Sequence, residues 1–245
     1  MNRSIQLYIQ YTPLTEQDDL SWMEGADGLV VEQDQCEFDR LNDLTVPGLV
    51  LRDADPEVWV ELQQNKQCVW SSTSGLEATA SLRDRWKDLH WMPVLSVYRP
   101  SLSYRFSGKA EGEGFSFYIP DTSVIRCWRV TDGEQPLIDA VEHARQLGFD
   151  SLWLHSLDAA EAGRGLELEM LDRTESSGLD IWLSGGATES RHLSNLARVG
   201  GAAAVVIDHN LAQLSSALEL CDCLAPLTEP VIPEVNFSCG QGCAG

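Results

Sequence analysis

Long apolar runs are missing from this 245-residue chain. No stretch reaches the roughly 18 consecutive apolar residues of a membrane-crossing helix, so no helical membrane span is expected. Basic residues are scarce as well: 17 Lys and Arg stand against 38 Asp and Glu, a formal net charge of −21. A surface that acidic repels phosphate backbones, which excludes nucleic-acid binding as the main activity. The opening segment, Met1–Asp19, has a short apolar run but no small-residue cleavage site. No export signal is therefore expected, and the chain is assigned to the cytoplasm. There its seven cysteines read as thiols rather than as a disulfide framework. Tight ligand motifs such as His-x-His are lacking, and neither a metal nor a cofactor is expected.

What is present is a 43% hydrophobic composition, ample for one large core. Short apolar runs recur at Ile5–Gln10, Gly28–Glu32, Gly48–Arg52, Cys68–Ser71, Pro93–Tyr98, Leu152–His155, Ile181–Ser184 and Ala204–Ile207. Most are continuous rather than alternating, as strands buried on both faces of a parallel sheet should be. Helix-like segments lie between them. Pro56–Leu62 opens behind Asp55 as a cap, Pro136–Leu147 gathers Leu137, Ile138, Val141, Ala144 and Leu147 on one face, and Ser190–Val199 stops at Gly200 and Gly201. Eight strands, each followed by a helical stretch, predict an α/β fold of the (β/α)₈ TIM-barrel type, with a doubly wound open sheet as the competitor. Ser103–Phe106 and Phe115–Ile119 alternate around a Gly-rich tip and predict a β-hairpin inserted after the fifth strand, followed by a strand-like run at Val124–Val130. The barrel is expected to occupy residues 1–220, and residues 221–245, with Pro226, Pro230 and Pro233, an extended Cys-rich tail.

Function in such a barrel collects at the C-terminal strand ends. Counting to each end gives Gln10, Glu32, Asp53, Ser72, Val97, His155, Ser184 and Asp208, with Asp158 and His209 just beyond. His155, Asp158 and His209 are the candidates for catalytic proton transfer. The sharpest local signal is Ile181-Trp182-Leu183-Ser184-Gly185-Gly186-Ala187-Thr188. A strand ending in two glycines ahead of a helix lets backbone amides approach a phosphate, which makes Ser184, Gly185, Gly186 and Ala187 the candidate phosphate-binding residues. The same glycines also suit a tight turn with no ligand. The loop after the last strand, Val206-Ile207-Asp208-His209-Asn210, sets a carboxylate beside that phosphate, so His209 or Arg191 would have to compensate.

From Asp132 to about Leu220 the chain resembles the second half of the histidine-biosynthesis barrels, the cyclase subunit of imidazole glycerol phosphate synthase and its sister isomerase. The matching pieces are Ile138–Ala144, Leu147–Asp158, Gly165–Glu169 and Leu183–Ala187, within a stretch that covers about a third of the chain. The resemblance implies the barrel fold and half of a phosphate cradle at Ser184–Ala187. It also implies two catalytic aspartates, and here the chain departs: the first strand ends in Gln10, and Ala160 takes the place of the second Asp of the pair, while Asp158 persists. The family's fifth-strand Asp falls at about Val97, and its triple glycine after strand three is replaced by Leu51-Arg52-Asp53-Ala54. Neither an amide nor a methyl moves a proton, so the ancestral reaction is expected to be lost. What the resemblance leaves is a small phosphorylated or ribosyl-type metabolite as ligand and, if there is turnover, an isomerase or lyase-type reaction. A paralogue in pterin-linked one-carbon metabolism would also tolerate the lost aspartates. The rival reading is a non-catalytic barrel that engages a protein partner through the tail bearing Cys221, Cys223, Cys239 and Cys243.

Overall fold

Each apolar run is a strand, and the strands close on themselves. The computed structural model describes residues 5–11, 21–32, 47–59, 67–100, 104–109, 116–120 and 128–225. Eight parallel strands form the ring: β1 (Gln6–Gln10), β2 (Gly28–Glu32), β3 (Gly48–Arg52), β4 (Gln67–Ser72), β5 (Trp91–Tyr98), β9 (Ser151–Ser156), β10 (Asp180–Ser184) and β11 (Ala204–Asp208). β11 pairs with β1 through Gln6↔Ala204 to Gln10↔Asp208, and the β4–β5 pairing completes closure. An open sheet is thereby excluded. Between β5 and β9 come β6 (Tyr104–Lys109) and β7 (Ser116–Pro120), an antiparallel pair in a sheet of their own. They are followed by β8 (Arg129–Val130), which bonds antiparallel to β5 outside the ring. Of the strand-like run at Val124–Val130, positions 124–127 lie outside the described residues, as do the hairpin tip and residues 226–245 with Cys239 and Cys243.

The helices are α1 (Pro56–Trp59), α2 (Leu76–Arg85), α3 (Leu137–Gln146), α4 (Leu157–Ala162), α5 (Glu169–Thr174), α6 (Ser190–Val199), α7 (His209–Leu214) and α8 (Ala217–Leu224). Local chemistry sets several of their starts. Asp55 Oδ1 accepts from the Glu57 amide at 2.9 Å, and Ser156 and Ser216 cap α4 and α8. In α3 the buried face is Leu137, Ala140, Val141 and Ala144. Ile138, expected on that face, is 57% exposed, because one residue along a helix turns the side chain by about 100°. Cys221 and Cys223 lie on α8, and the Cys221 thiol reaches the Gly25 carbonyl at 3.2 Å. Among the described residues, no helix is long and apolar enough to cross a membrane.

Two apolar clusters follow from the period-two alternation of the strands. One joins Leu7, Ile9, Leu29, Leu49, Leu95, Leu152, Leu154, Leu183 and Ile207 to the helices, so these positions face outward. The other joins strand residues alone: Tyr8, Val30, Val50, Met92, Val94, Trp153, Trp182, Ala204 and Val206. It fills the lumen, with Tyr8 and Trp182 in ring contact at 4.4 Å between centroids. That filling makes the barrel a packed core with two separate ends rather than a pore.

Candidate active site

The lumen parity fixes what reaches the C-terminal rim. Two residues beyond each inward apolar position come Gln10, Glu32, Arg52, Ser71, Ser96, His155, Ser184 and Asp208. Three positions in the strand-end count are therefore displaced by one residue: Arg52 faces the lumen rather than Asp53, Ser71 rather than Ser72, and Ser96 rather than Val97. Val97 instead belongs to the outer cluster. Asp53 serves the loops. At φ 51° its Oδ1 accepts from the Thr73 amide at 2.8 Å and its Oδ2 from the Thr73 hydroxyl at 2.7 Å, tying the end of β3 to the loop after β4.

A cavity of about 450 Å³ opens at this rim between β10 and β11, and its wall contains Gln10, His155, Ala160, Ser184–Thr188, Asp208 and Asn210. Ser184 stands at the hub of a buried polar cluster. The Trp153 indole donates to its Oγ at 2.7 Å, and His155 Nδ1 lies 2.8 Å from the same oxygen. Burial, reinforced by the positive charge of Arg52, lowers the His155 pKa and keeps the ring neutral. Arg52 is held by Glu32 and by the face of Trp153, 5.8 Å from the ring centroid. Its Nε is buried without a hydrogen bond among the described residues.

Gly185 and Gly186 sit at φ 95° and 89°, conformations that L side chains rarely adopt. Added Cβ atoms would come within 2.4 Å of the Ser156 carbonyl oxygen and 2.3 Å of that of Gly165. Both glycines are thus dictated by close packing of this loop on its neighbours. Gly186 and Ala187 line the cavity, and their amides take up no backbone hydrogen bond among the described residues. Asp208 Oδ1 caps α7 through the Asn210 amide at 2.8 Å, so its charge is partly engaged.

Of the residues proposed for proton transfer, only His155 lines the cavity. Asp158, in the first turn of α4, accepts from the Arg99 amide at 2.5 Å. Arg99 in turn lies over Trp128 and pairs with Glu169 at 2.7 Å, so Asp158 serves the anchorage of the β5 end. His209, in α7, is buried, its Nδ1 3.4 Å from Asp208 Oδ1 and without a hydrogen bond among the described residues. Arg191 pairs with Glu189 at 2.7 Å and does not line the cavity, so it is not the compensating cation for Asp208. Arg52 and Trp153 were not singled out from the sequence. Their placement comes from the strand pairing, which sets Trp153 in the lumen and Arg52 two residues beyond the inward Val50.

Neither a protein-family model nor a curated protein matches this chain. The chain is an α/β barrel of the TIM type.

Proposed function

We propose that this barrel descends from the histidine-biosynthesis lineage and holds a small phosphorylated, ribosyl-type metabolite between β10 and β11, without the two-carboxylate chemistry of that lineage. One observation carries the reading. Gln10 and Ala160, which replace the two catalytic aspartates implied by the resemblance, line the same cavity as Ser184–Ala187. The ancestral active site is thus retained as a space but not as an acid–base pair. The phosphate lies toward the Gly186 and Ala187 amides, the donors left unused in the loop. The sugar hydroxyls lie toward Asp208, Gln10 and Asn210, where a carboxylate is an asset because it accepts from hydroxyl donors. This orientation separates the phosphate from the Asp208 charge. Any proton transfer of an isomerase or lyase type falls to the neutral His155 imidazole.

Calorimetric titration of the full chain with ribose 5-phosphate, ribose and inorganic phosphate tests the reading. Ribose 5-phosphate should bind at least about tenfold more tightly than either fragment, since both halves of the cavity contribute. Ala160→Phe, at an exposed position on the wall, should abolish the titration without lowering the melting temperature. No binding at roughly 10 mM ligand, or an unchanged affinity in Ala160→Phe, would refute it.

A further inference from the structure

The opposite end of the lumen is not closed. A cavity of about 810 Å³ opens at the N-terminal face, below the Tyr8–Trp182 pair. Its origin is legible in the strands. β2 and β3 begin with Gly28 and Gly48, so two of the inward positions beneath Val30 and Val50 carry no side chain. The Tyr8 ring needs that room, because a Cβ on Gly28 would lie 2.5 Å from Tyr8 Cε1 and one on Gly48 3.2 Å from its hydroxyl oxygen.

The wall has a consistent chemistry. Asp27, Asp150 and Asp180 contribute three carboxylates and His90 an imidazole, and no Lys or Arg among the described residues lines the space. Asp27 is anchored, its Oδ2 accepting from the Leu7 amide at 2.7 Å. Tyr8 and Ser151 are each 7% exposed and line the cavity. Ser151 Oγ is buried without a hydrogen bond among the described residues. Burial, with the Asp27 charge adding, pushes the Tyr8 pKa up to about 12, so this hydroxyl stays protonated. A buried hydroxyl without a partner among the described residues, two aromatic rings and three carboxylates together describe a recognition surface. An anion is rejected by the three carboxylates. A bare metal ion is not favoured either, since no group of three His, Cys, Asp or Glu among the described residues could hold one.

We propose that the N-terminal cavity binds a small hydroxyl-bearing organic ammonium, its cation against the Tyr8–Trp182 faces and the carboxylates, and its hydroxyl toward Ser151 and Tyr8. Ring quadrupoles attract a cation with an apolar shell, and the carboxylates add the Coulombic attraction. The ligand hydroxyl satisfies Ser151 Oγ, a group that is costly to leave unpaired when buried. The site lies across the filled lumen from the β10–β11 cavity and stands independently of the ligand proposed there.

The test titrates the full chain with choline and with its neutral isostere 3,3-dimethylbutan-1-ol, followed by calorimetry and by the Trp182 indole N–H resonance, assigned with Trp182→Phe. Choline should bind at least roughly fivefold more tightly than the isostere and shift that resonance. The double variant Asp150→Asn/Asp180→Asn removes charge at two exposed positions and should weaken choline roughly tenfold. Equal affinity of the two probes overturns the proposal, as does choline affinity unchanged in the double variant or no binding at roughly 10 mM. If the double variant unfolds, the comparison of the two probes on the wild-type chain decides alone.

Discussion

The two ends of this barrel are built from the same eight strands and have opposite characters. At the C-terminal rim, polar side chains engage one another: Trp153, Ser184 and His155 share a hydrogen-bonded cluster, and Arg52 pairs with Glu32. At the N-terminal face, glycines open a space lined by carboxylates, with the buried Ser151 hydroxyl left unpaired among the described residues. The rim is narrower, cross-linked and close to a glycine-rich loop; the floor is wider and carries three carboxylates. A single α/β scaffold can therefore offer two recognition chemistries, because inward side chains at its two ends are chosen independently while the apolar layer between them supplies the core.

The largest effect should come from the rim loop. Gly186→Ala forces a side chain at φ 89°, with its Cβ 2.3 Å from the Gly165 carbonyl oxygen, and should cost about 3 kcal/mol in urea unfolding. Gly178→Ala, at φ 74° with open space around it, should cost only about 1 kcal/mol. Equal costs would mean that loop packing does not impose the glycines.

Next in size, Trp153→Phe removes the donor to Ser184 Oγ and part of the lumen filling, and should lose about 2 kcal/mol. Retention of wild-type stability would remove Ser184 as the hub of the rim.

A smaller effect distinguishes the ends by pH. The folded-state pKa of His155 is lowered, so the unfolded chain binds more protons as pH falls through the ordinary His range near 6.5. His155 therefore costs stability on acidification, and His155→Gln should lessen the loss between about pH 7 and 5. Tyr8 works in the other sense. Its folded pKa is raised to about 12 from 10.0, so its stabilising contribution is present below pH 10 and lost as pH rises through 12. Ultraviolet titration should find one tyrosine ionising about two pH units late, and Tyr8→Phe should delete that step. An unchanged titration in Tyr8→Phe would contradict the burial assigned to it.

The ring strands and their order were legible because parallel strands buried on both faces read as uninterrupted apolar runs with helical spacers. The faces were less legible for the same reason: a continuous apolar run carries no alternation, so the last residue of β3, β4 or β5 could not be assigned inward or outward. Pairing settled it, turning Arg52, Ser71 and Ser96 toward the lumen. Asp158 and His209 follow strand ends in sequence but belong to first helical turns, where side chains serve caps and packing. The Trp153–Ser184–His155 cluster joins residues 31 and 29 positions apart and exists only once β9 and β10 pair at Ser184↔His155. The floor had a sequence signal, glycine at the first position of two successive apolar strands. Its meaning required the Tyr8 ring.

An amide-resolved NMR titration of the full chain with ribose 5-phosphate tests the central claim most directly. The account predicts that the largest shifts fall on the Gly186 and Ala187 amides, that His155 follows, and that the Trp182 indole N–H is undisturbed. Shifts centred on Trp182 and Ser151, or none at Gly186 and Ala187 at saturation, would contradict it.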